Sequence, residues 1–273
     1  MTEQPASLTW YIRSLLAHRD LIYRMVEREF TQRFRGSVLG AVWAILTPLL
    51  TALVYTFVFG TVFKARWGGS PADSQNSFTV ILLTGVVVHS MFAEALGRAP
   101  VVVLSNAGYV KKVVFPLEIL PVVAVCTALL NASFGLVIVL MLNLALTHAI
   151  QPTVLLLPVV LFPYLLFITG LVLFLGATGV YVRDLSQIVG FLITVSLFLT
   201  PIFYPITAVP ASFQRVMWLN PLTFIVEQTR GVLLFGSLPD WRGAALYTAA
   251  ATLLLAMCFW WFQRTRNGFA DVM

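Results

Sequence analysis

The sequence predicts an all-α membrane protein with six transmembrane helices. Hydrophobic residues make up 59% of the 273 residues and charged residues only 10%, and the mean hydropathy is +0.91. Soluble domains carry about 25% charged residues, so lipid is the solvent for most of this chain. In addition, long stretches without Asp, Glu, Lys or Arg follow one another along the sequence.

The uncharged stretches set the positions of the helices. A transmembrane helix needs about 20 apolar residues and satisfies its own backbone hydrogen bonds. The stretch at 119–182 is long enough for two helices, and a break at 147–152 divides it. Each of the other stretches holds one helix: 36–63, 74–93, 185–214 and 243–263.

The distribution of Lys and Arg predicts the orientation. Six crossings place both termini on one side, and that side holds 12 of the 17 Lys and Arg residues. Because positive residues are enriched in cytoplasmic segments, both termini are predicted to lie in the cytoplasm, with the chain in the inner membrane. The chain then divides into a cytoplasmic N-terminus at 1–36, a six-span domain at 37–263 and a cytoplasmic tail at 264–273.

Residues 8–30 are predicted to lie on the membrane rather than across it. Apolar side chains such as Leu8, Ile12 and Val26 are interleaved with arginines, which is the pattern of an amphipathic helix at the membrane interface. A helix packed on a soluble partner is the alternative.

Residues 209–239 are predicted to form a re-entrant helical hairpin between the fifth and sixth spans. The apolar runs at 216–219 and 222–226 are too short to cross about 30 Å of hydrocarbon. Pro221 prevents one continuous helix, and non-helical backbone is tolerated at membrane depth where protein covers it. A plain external loop is the alternative.

The sequence lacks the motifs of a nucleotide-binding or hydrolytic site. It contains no GxxxxGK[ST] phosphate loop, no HExxH pair and no GxSxG elbow. Cys126 and Cys258 lie in apolar runs, which argues against a disulfide. No basic domain for nucleic acid stands outside the spans. We therefore expect no catalytic residue, no bound metal and no cofactor in this chain.

Few ionisable residues lie inside the predicted spans. Ion-coupled transporters place such groups near the middle of the membrane, and here only Glu94 approaches that role. His89 is either a proton-relay group or a hydrogen-bonded structural histidine. Transport by this chain would need energy from another chain.

Short motifs in a fixed order resemble the permease subunits of polysaccharide-exporting ABC transporters, a type-2 permease family that serves O-antigen, capsule and teichoic acid export. The resemblance covers residues 20–273 and is closest to the O-antigen exporters. It rests on these segments: 33–43 (RFRGSVLGAVW), 47–49 (TPL), 106–116 (NAGYVKKVVFP), 183–185 (RDL), 200–205 (TPIFYP), 219–222 (LNPL) and 269–271 (FAD).

This resemblance implies a mechanism and a set of partners. Two copies of the chain would form a homodimer, and each copy would dock one soluble ATPase subunit. ATP and Mg²⁺ would bind to that partner, and its hydrolysis of ATP would drive a lipid-linked polysaccharide outward through the membrane.

The resemblance also implies a docking element for the ATPase. The segment at 106–115 matches the cytoplasmic coupling loop of the family, and Tyr109 is an aromatic anchor in it. The predicted coupling residues are Asn106, Tyr109, Lys111 and Lys112. The two lysines also fit the general positive charge of cytoplasmic loops.

Arg33 and Arg35 precede the first span at the depth of the lipid headgroups. A lipid-linked glycan presents phosphate or pyrophosphate at this depth, and the planar guanidinium can bind phosphate oxygens in a bidentate manner. Both arginines are therefore candidates for contact with the substrate head group. Snorkelling of these side chains to lipid phosphates is the alternative.

Aromatic and bulky apolar residues predict a conduit and its closure. Sugar rings stack on aromatic planes without demanding a particular sequence, so spans one and five supply candidate channel-lining residues: Trp43, Tyr55, Phe59, Phe198, Phe203 and Tyr204. A pore as wide as a polymer would leak ions unless it is sealed, and bulky apolar groups exclude water. The predicted periplasmic gate is Phe213, Met217, Trp218, Asn220, Pro221 and Phe224.

Other functions stay open at this stage. Export of a capsular polysaccharide or a teichoic acid would use the same mechanism, and a permease for drugs or small lipids would share the fold. A membrane acyl- or glycosyltransferase is more remote, because only Asp184 and Glu118 offer carboxylates for it.

Overall fold

The computed structural model describes residues 7–62, 67, 74–112 and 115–272, with the side chains at 60, 74–77, 110–112, 270 and 271 outside the description. Helices connected by turns account for these residues, and no β-strand occurs among them. The predicted all-α fold is confirmed. Lys64 and Arg66, which were counted for the orientation, lie outside the described residues.

Longer helices alternate with short segments. In chain order the α-helices are α1 Leu8–Ala17, α2 Arg19–Phe34, α3 Trp43–Tyr55, α4 Ser74–Arg98, α5 Ala107–Lys112, α6 Ile119–Thr147, α7 Leu157–Gly179, α8 Leu185–Leu199, α9 Ala211–Leu219, α10 Pro221–Arg230, α11 Trp241–Arg266 and α12 Phe269–Val272. The 3₁₀ turns are Gly40–Val42, Ala99–Val101, Leu104–Asn106, Pro152–Leu156 and Ile206–Ala208, and π-helical turns occupy Thr56–Val62 and Gly231–Phe235.

Five helical stretches in the described part of the chain are long and apolar enough to cross a membrane. They are Gly40–Phe59, Phe78–Val101, Ile119–Thr147, Pro152–Tyr181 and Trp241–Arg266. The predicted fifth span contains only the 15-residue apolar helix α8, about 22 Å long at 1.5 Å per residue. The count of six crossings therefore stays a prediction.

Two predicted boundaries have clear physical explanations. The break inside 119–182 falls at His148, whose left-handed backbone (φ 54°) ends α6, and helical structure resumes at Pro152. Helix α4 runs past the predicted end at residue 93, through Glu94 and Arg98. These charges do not end the helix, because each of them pairs with a residue of α2.

The N-terminal helices pack on the bundle. Ser7 begins α1 by accepting a hydrogen bond from the Trp10 backbone N–H at 3.2 Å. Tyr11 and Ser14 are buried on one face of α1, and Ile12 and Leu16 are exposed on the other. The helix is thus amphipathic, while its place at a membrane interface stays a prediction.

Helix α1 meets the last turn of α11 at one end of the bundle, where Ser14 and Arg266 both bind Glu118. We call this the terminal end, and the end that carries α9 and α10 the far end. Close packing joins α7 to its neighbours, since a Cβ on Gly170 would lie 3.2 Å from the Leu255 Cα.

Burial differs sharply between the long helices. In the apolar stretch of α4, 72% of the residues are buried, so this helix forms the centre of the bundle. In the stretch that contains α3, only 6% are buried. Helix α3 therefore presents its apolar side chains to lipid or to another protein.

Candidate functional site: a charged cleft and an aromatic cluster

A cleft of 780 Å³ lies between α2, α4 and α6. Side chains from all three helices give it a polar lining: Glu29, Gln32, Arg33, Ser90, Glu94, Arg98 and Thr127. We call it the charged cleft. Arginines and glutamates are equal in number on its wall, so it carries no net charge but offers many hydrogen-bonding groups.

Two ion pairs bridge the charged cleft. Arg33 Nη1 donates to Glu94 Oε1 at 2.7 Å, and Asn131 Nδ2 donates to the same oxygen at 2.6 Å. Arg98 Nη2 donates to Glu29 Oε2 at 2.5 Å, and this oxygen also accepts from Thr127 Oγ1 at 3.2 Å. Each pair links α2 to α4 and, through the third residue, to α6.

The two arginines predicted to contact a head group occupy different places. Arg33 is half exposed, and it lines both the charged cleft and an adjoining 180 Å³ cavity that includes Trp43 and Thr47. Arg35 lies on the exposed turn after α2 and lines neither cavity. An anion that enters the cleft would compete with Glu94 for the Arg33 guanidinium.

The predicted coupling segment forms α5 and the turn before it at the terminal end. The Tyr109 ring stacks on Phe115 with centroids 4.7 Å apart, and its hydroxyl accepts a hydrogen bond from Arg28 Nη1 at 2.9 Å. Asn106 Nδ2 donates to the Val102 carbonyl at 2.9 Å and closes the turn. The side chains of Lys111 and Lys112 lie outside the described residues.

Glu118 connects three segments at the terminal end. Its carboxylate is almost fully buried and accepts hydrogen bonds from Ser14 Oγ at 2.9 Å and Arg266 Nη1 at 3.0 Å. Arg266 Nη2 also donates to the Phe115 carbonyl at 3.2 Å. The Tyr11 phenol is buried nearby, and burial together with the Glu118 charge raises its pKa. These contacts tie α1, α11 and the coupling segment together.

Most of the predicted channel aromatics meet in one group. Phe203 stacks on Phe59 with centroids 4.6 Å apart and meets Tyr55 edge-on at 5.4 Å. Phe198 lies 5.9 Å from Phe203, and the Tyr204 hydroxyl donates to the Phe198 carbonyl at 2.7 Å. We call Tyr55, Phe59, Phe198 and Phe203 the aromatic cluster. Trp43 is not part of it, and a channel-lining role stays a prediction for all of them.

The predicted gate residues lie on α9 and α10, which meet at Asn220. Phe213 and Trp218 are exposed, whereas Met217 is buried. The Phe224 ring stacks on Tyr247 of α11 with centroids 5.6 Å apart, so it packs within the bundle. Pro221 begins α10, and the Asn220 side chain accepts from the Leu222 N–H at 3.0 Å and donates to Thr200 Oγ1 at 3.0 Å. The periplasmic gate and the re-entrant hairpin both stay predictions.

His89 on α4 is hydrogen-bonded, as the structural alternative for this residue predicts. Its Nε2 lies 2.9 Å from the Ser196 Oγ of α8. Within the described part of the chain, no group of three or more His, Cys, Asp or Glu side chains is placed to hold a metal ion.

Comparison with known proteins identifies the family. Residues 20–234 match the ABC-2 type transporter family. This chain belongs to the ABC-2 type transporter family. The match spans the charged cleft, the coupling segment, the aromatic cluster and both helices of the far end, whereas α1 and α11 lie outside it.

Known relatives align with this ABC-2 permease over nearly their whole length. It is 31% identical to an O-antigen export system permease protein (RfbA) of Myxococcus xanthus over 264 residues, covering 95% of this chain and 98% of the relative. An RfbA of Klebsiella pneumoniae is 23% identical over 256 residues, with 93% and 95% covered. A polysialic acid transport protein (KpsM) of Escherichia coli is 26% identical over 244 residues, with 88% and 91% covered.

Sequence reasoning missed three charged residues that organise the ABC-2 permease. Glu118 and Arg266 form a buried pair at the terminal end, although they are far apart in the sequence. Arg230 is the third, and its side chain is completely buried. One signal was available for Arg230, since Glu227 stands three residues earlier and therefore on the same helix face.

Proposed function

We propose that this ABC-2 permease exports a lipid-linked polysaccharide, the O-antigen of lipopolysaccharide, across the inner membrane. The observation that carries the proposal is the similarity to O-antigen export permeases over 93–95% of this chain. ATP would be hydrolysed by a separate ATPase subunit, because this sequence contains no phosphate-binding loop.

We infer that the charged cleft receives the phosphate or pyrophosphate of the lipid carrier. Arg33 supports this role because its guanidinium reaches the cleft and already holds a carboxylate, which a phosphate oxygen can replace. The neighbouring hydroxyl, amide and carboxylate groups are suitable partners for the first sugar hydroxyls. Arg35 would contact lipid phosphates outside the cleft.

A second copy of the chain would complete the conduit. Helix α3 has few buried residues, and Phe191, Leu192 and Phe198 of α8 are also exposed. In a homodimer these faces would enclose the polysaccharide, with the aromatic cluster at the far end. The exposed Phe213 and Trp218 would help to seal that end between transport events. Membrane lipids would cover the faces that no protein covers.

The terminal end would receive the ATPase. Helix α5 is short, and the Tyr109–Phe115 stack connects it to Arg28 on α2 and to the Glu118–Arg266 pair. A displacement of α5 by the ATPase would thus be transmitted through α2 to the charged cleft. On this basis both termini and α5 would face the cytoplasm.

Deletion of the gene tests the proposed function. We expect O-antigen to disappear from the cell surface and the lipid-linked glycan to accumulate inside, and a plasmid copy should restore export. The control is a plasmid copy with a stop codon inside α3. Normal surface O-antigen in the deletion strain would contradict the proposal. Loss of capsule instead would favour the second candidate, capsule export, which the similarity to the polysialic acid transport proteins supports.

The charged cleft gives a prediction with a matched control. We expect Arg33→Gln to lower export by about threefold to tenfold, because a charged hydrogen bond to the head group is lost at a partly exposed site. Arg35→Gln should lower it much less, since Arg35 does not line the cleft. Export is measured as surface O-antigen at equal permease levels. Equal losses in both variants would argue that the two arginines act only through the surrounding lipid.

A further inference from the structure

Arg230 is a fully buried arginine at the C-terminal end of α10. Its side chain is 0% exposed, and it has the largest volume among the fully buried side chains of the described residues. The guanidinium is always charged in proteins and costs several kcal/mol to desolvate unless partners surround it. A residue of this kind at the far end of a permease calls for a physical explanation.

The guanidinium of Arg230 joins three separate parts of the chain. Nε donates to the Ile81 carbonyl of α4 at 3.1 Å. Nη1 donates to the Pro201 carbonyl at 2.7 Å and Nη2 to the Ile202 carbonyl at 3.0 Å, both in the turn after α8. Nη1 also donates to Glu227 Oε1 at 2.8 Å, one turn earlier on α10. The Trp67 ring lies 4.4 Å from the guanidinium carbon.

A glycine on α4 makes room for this arrangement. A Cβ on Gly85 would lie 2.7 Å from Arg230 Nη2 and 3.3 Å from the Ile202 side chain. Any larger residue at position 85 would therefore push the guanidinium away from the turn. Gly85 and the Arg230 guanidinium therefore pack directly against each other, and the contact requires that residue 85 has no side chain.

The turn that Arg230 holds carries the centre of the aromatic cluster. Pro201 and Ile202 lie beyond the end of α8, so their carbonyls have no donor within that helix. Phe203 follows directly and packs between Tyr55 and Phe59 of the first span. The position of Phe203 thus depends on the two bonds from Arg230 to this turn.

The charge of Arg230 keeps a partner even when the turn moves away. Glu227 lies on the same helix as Arg230, so this ion pair moves as a unit with α10. The Glu227 side chain is 29% exposed, whereas that of Arg230 is fully buried. A shift of α10 relative to the turn would break the bonds to Pro201 and Ile202 without leaving a bare buried charge.

We propose that Arg230 is a positioning residue of the transport cycle, which holds the turn at 200–203 against α4 and so keeps the aromatic cluster closed between transport events. The proposal rests on the proposed export function, which supplies the need for a closed far end. Opening of that end then requires Arg230 to release the two carbonyls while it keeps Glu227.

The test measures resting potassium efflux from proteoliposomes that contain the full-length chain without ATP. We expect Arg230→Met to raise efflux by at least about tenfold, because it removes both hydrogen bonds to the turn and the loss of even one charged hydrogen bond shifts an equilibrium by roughly that factor. Gly85→Ala should raise efflux by a smaller factor, since it displaces only one edge of the guanidinium. Arg215→Met, at an exposed arginine of α9, should leave efflux unchanged.

The double variant Gly85→Ala with Arg230→Met separates a positioning role from general damage. Both changes act on one contact, so the double variant should leak no more than Arg230→Met alone. Two independent disturbances of the fold would multiply their effects instead. Efflux equal to wild type in both single variants, or multiplied leaks in the double variant, would overturn the proposal.

Folding and function are checked separately. Gel filtration and melting temperature identify any variant that has lost its fold. If Arg230→Met does not fold, Gly85→Ala still tests the contact, because it keeps every charged group. Loss of surface O-antigen on gene deletion, together with wild-type efflux from both the Gly85→Ala and the Arg230→Met liposomes, would refute the Arg230 role and leave the export function standing. Normal surface O-antigen on gene deletion, together with leaky Gly85→Ala and Arg230→Met liposomes, would refute the export function and leave the role of Arg230 in holding the turn standing.

Discussion

Replacement of Arg266 by methionine is expected to lower the folding stability by about 3 to 5 kcal/mol, the usual cost of removing one partner of a buried ion pair. Glu118 is 1% exposed and Arg266 is 19% exposed, so water cannot take the place of the lost guanidinium. Of the bonds described above, only that from the Ser14 hydroxyl would then remain on the carboxylate. The measurement is the melting temperature of the purified full-length chain in detergent.

Two further variants show whether the ion pair causes this loss. Arg264→Met removes an exposed arginine from the same helix end and should change stability by no more than about 0.5 kcal/mol. The double variant Glu118→Gln with Arg266→Met removes the buried charge but retains the bond to Ser14, so it should be more stable than Arg266→Met alone. If the double variant is instead less stable than Arg266→Met, the buried charge is not the cause.

The second large effect is expected at Tyr109. Tyr109→Ala removes a ring that packs on Phe115 and contacts Arg28, so α5 loses its links to the rest of the terminal end. Aromatic pairs contribute about 0.5–1.5 kcal/mol beyond their buried area, which is too little to unfold the chain but enough to loosen a six-residue helix. We expect surface O-antigen to fall about tenfold, with the permease still present in the membrane.

Tyr109→Phe is the matched control for this prediction. It keeps the stack on Phe115 and loses only the hydrogen bond from the exposed Arg28, so export should stay near the wild-type level. Ser105→Ala, on the exposed turn before α5, should also have little effect. Normal export by Tyr109→Ala, with the ATPase still co-purifying, would mean that this segment is not the coupling element.

Composition and hydropathy were sufficient to predict the helical fold. Lipid selects for uncharged stretches of sufficient length, and this constraint acts on each segment by itself. The break at His148 and Pro152 was visible for the same reason, because polar residues and a proline interrupt one apolar run. The sequence therefore predicts a helix or its end wherever the residues of that segment alone determine it.

The end of α4 shows where local reasoning failed. Glu94 and Arg98 look like the end of a span, but they pair with Arg33 and Glu29 of α2, more than sixty positions earlier. A charge with a distant partner does not stop a helix. The sequence contains no local sign of that partner, so the charged cleft could not be derived from it.

The candidate site was predicted unevenly for a similar reason. The aromatic residues of spans one and five were chosen for their chemistry, and four of them meet in one cluster because α3 and the turn after α8 pack together. The gate residues were chosen from a run of apolar residues, and the helices α9 and α10 turn them to different faces. The buried role of Arg230 depends on carbonyls of two other segments.

Translocation in a reconstituted system tests the central claim, that a separate ATPase drives this permease to move a lipid-linked polysaccharide. Proteoliposomes with the chain and its ATPase would receive labelled lipid-linked O-antigen and external ATP, and the fraction protected from an added glycosidase would be measured. We predict that protection grows with ATP only when both subunits are present, and that the pure chain hydrolyses no ATP. Turnover of ATP by the chain alone, or equal protection without the ATPase, would contradict this account.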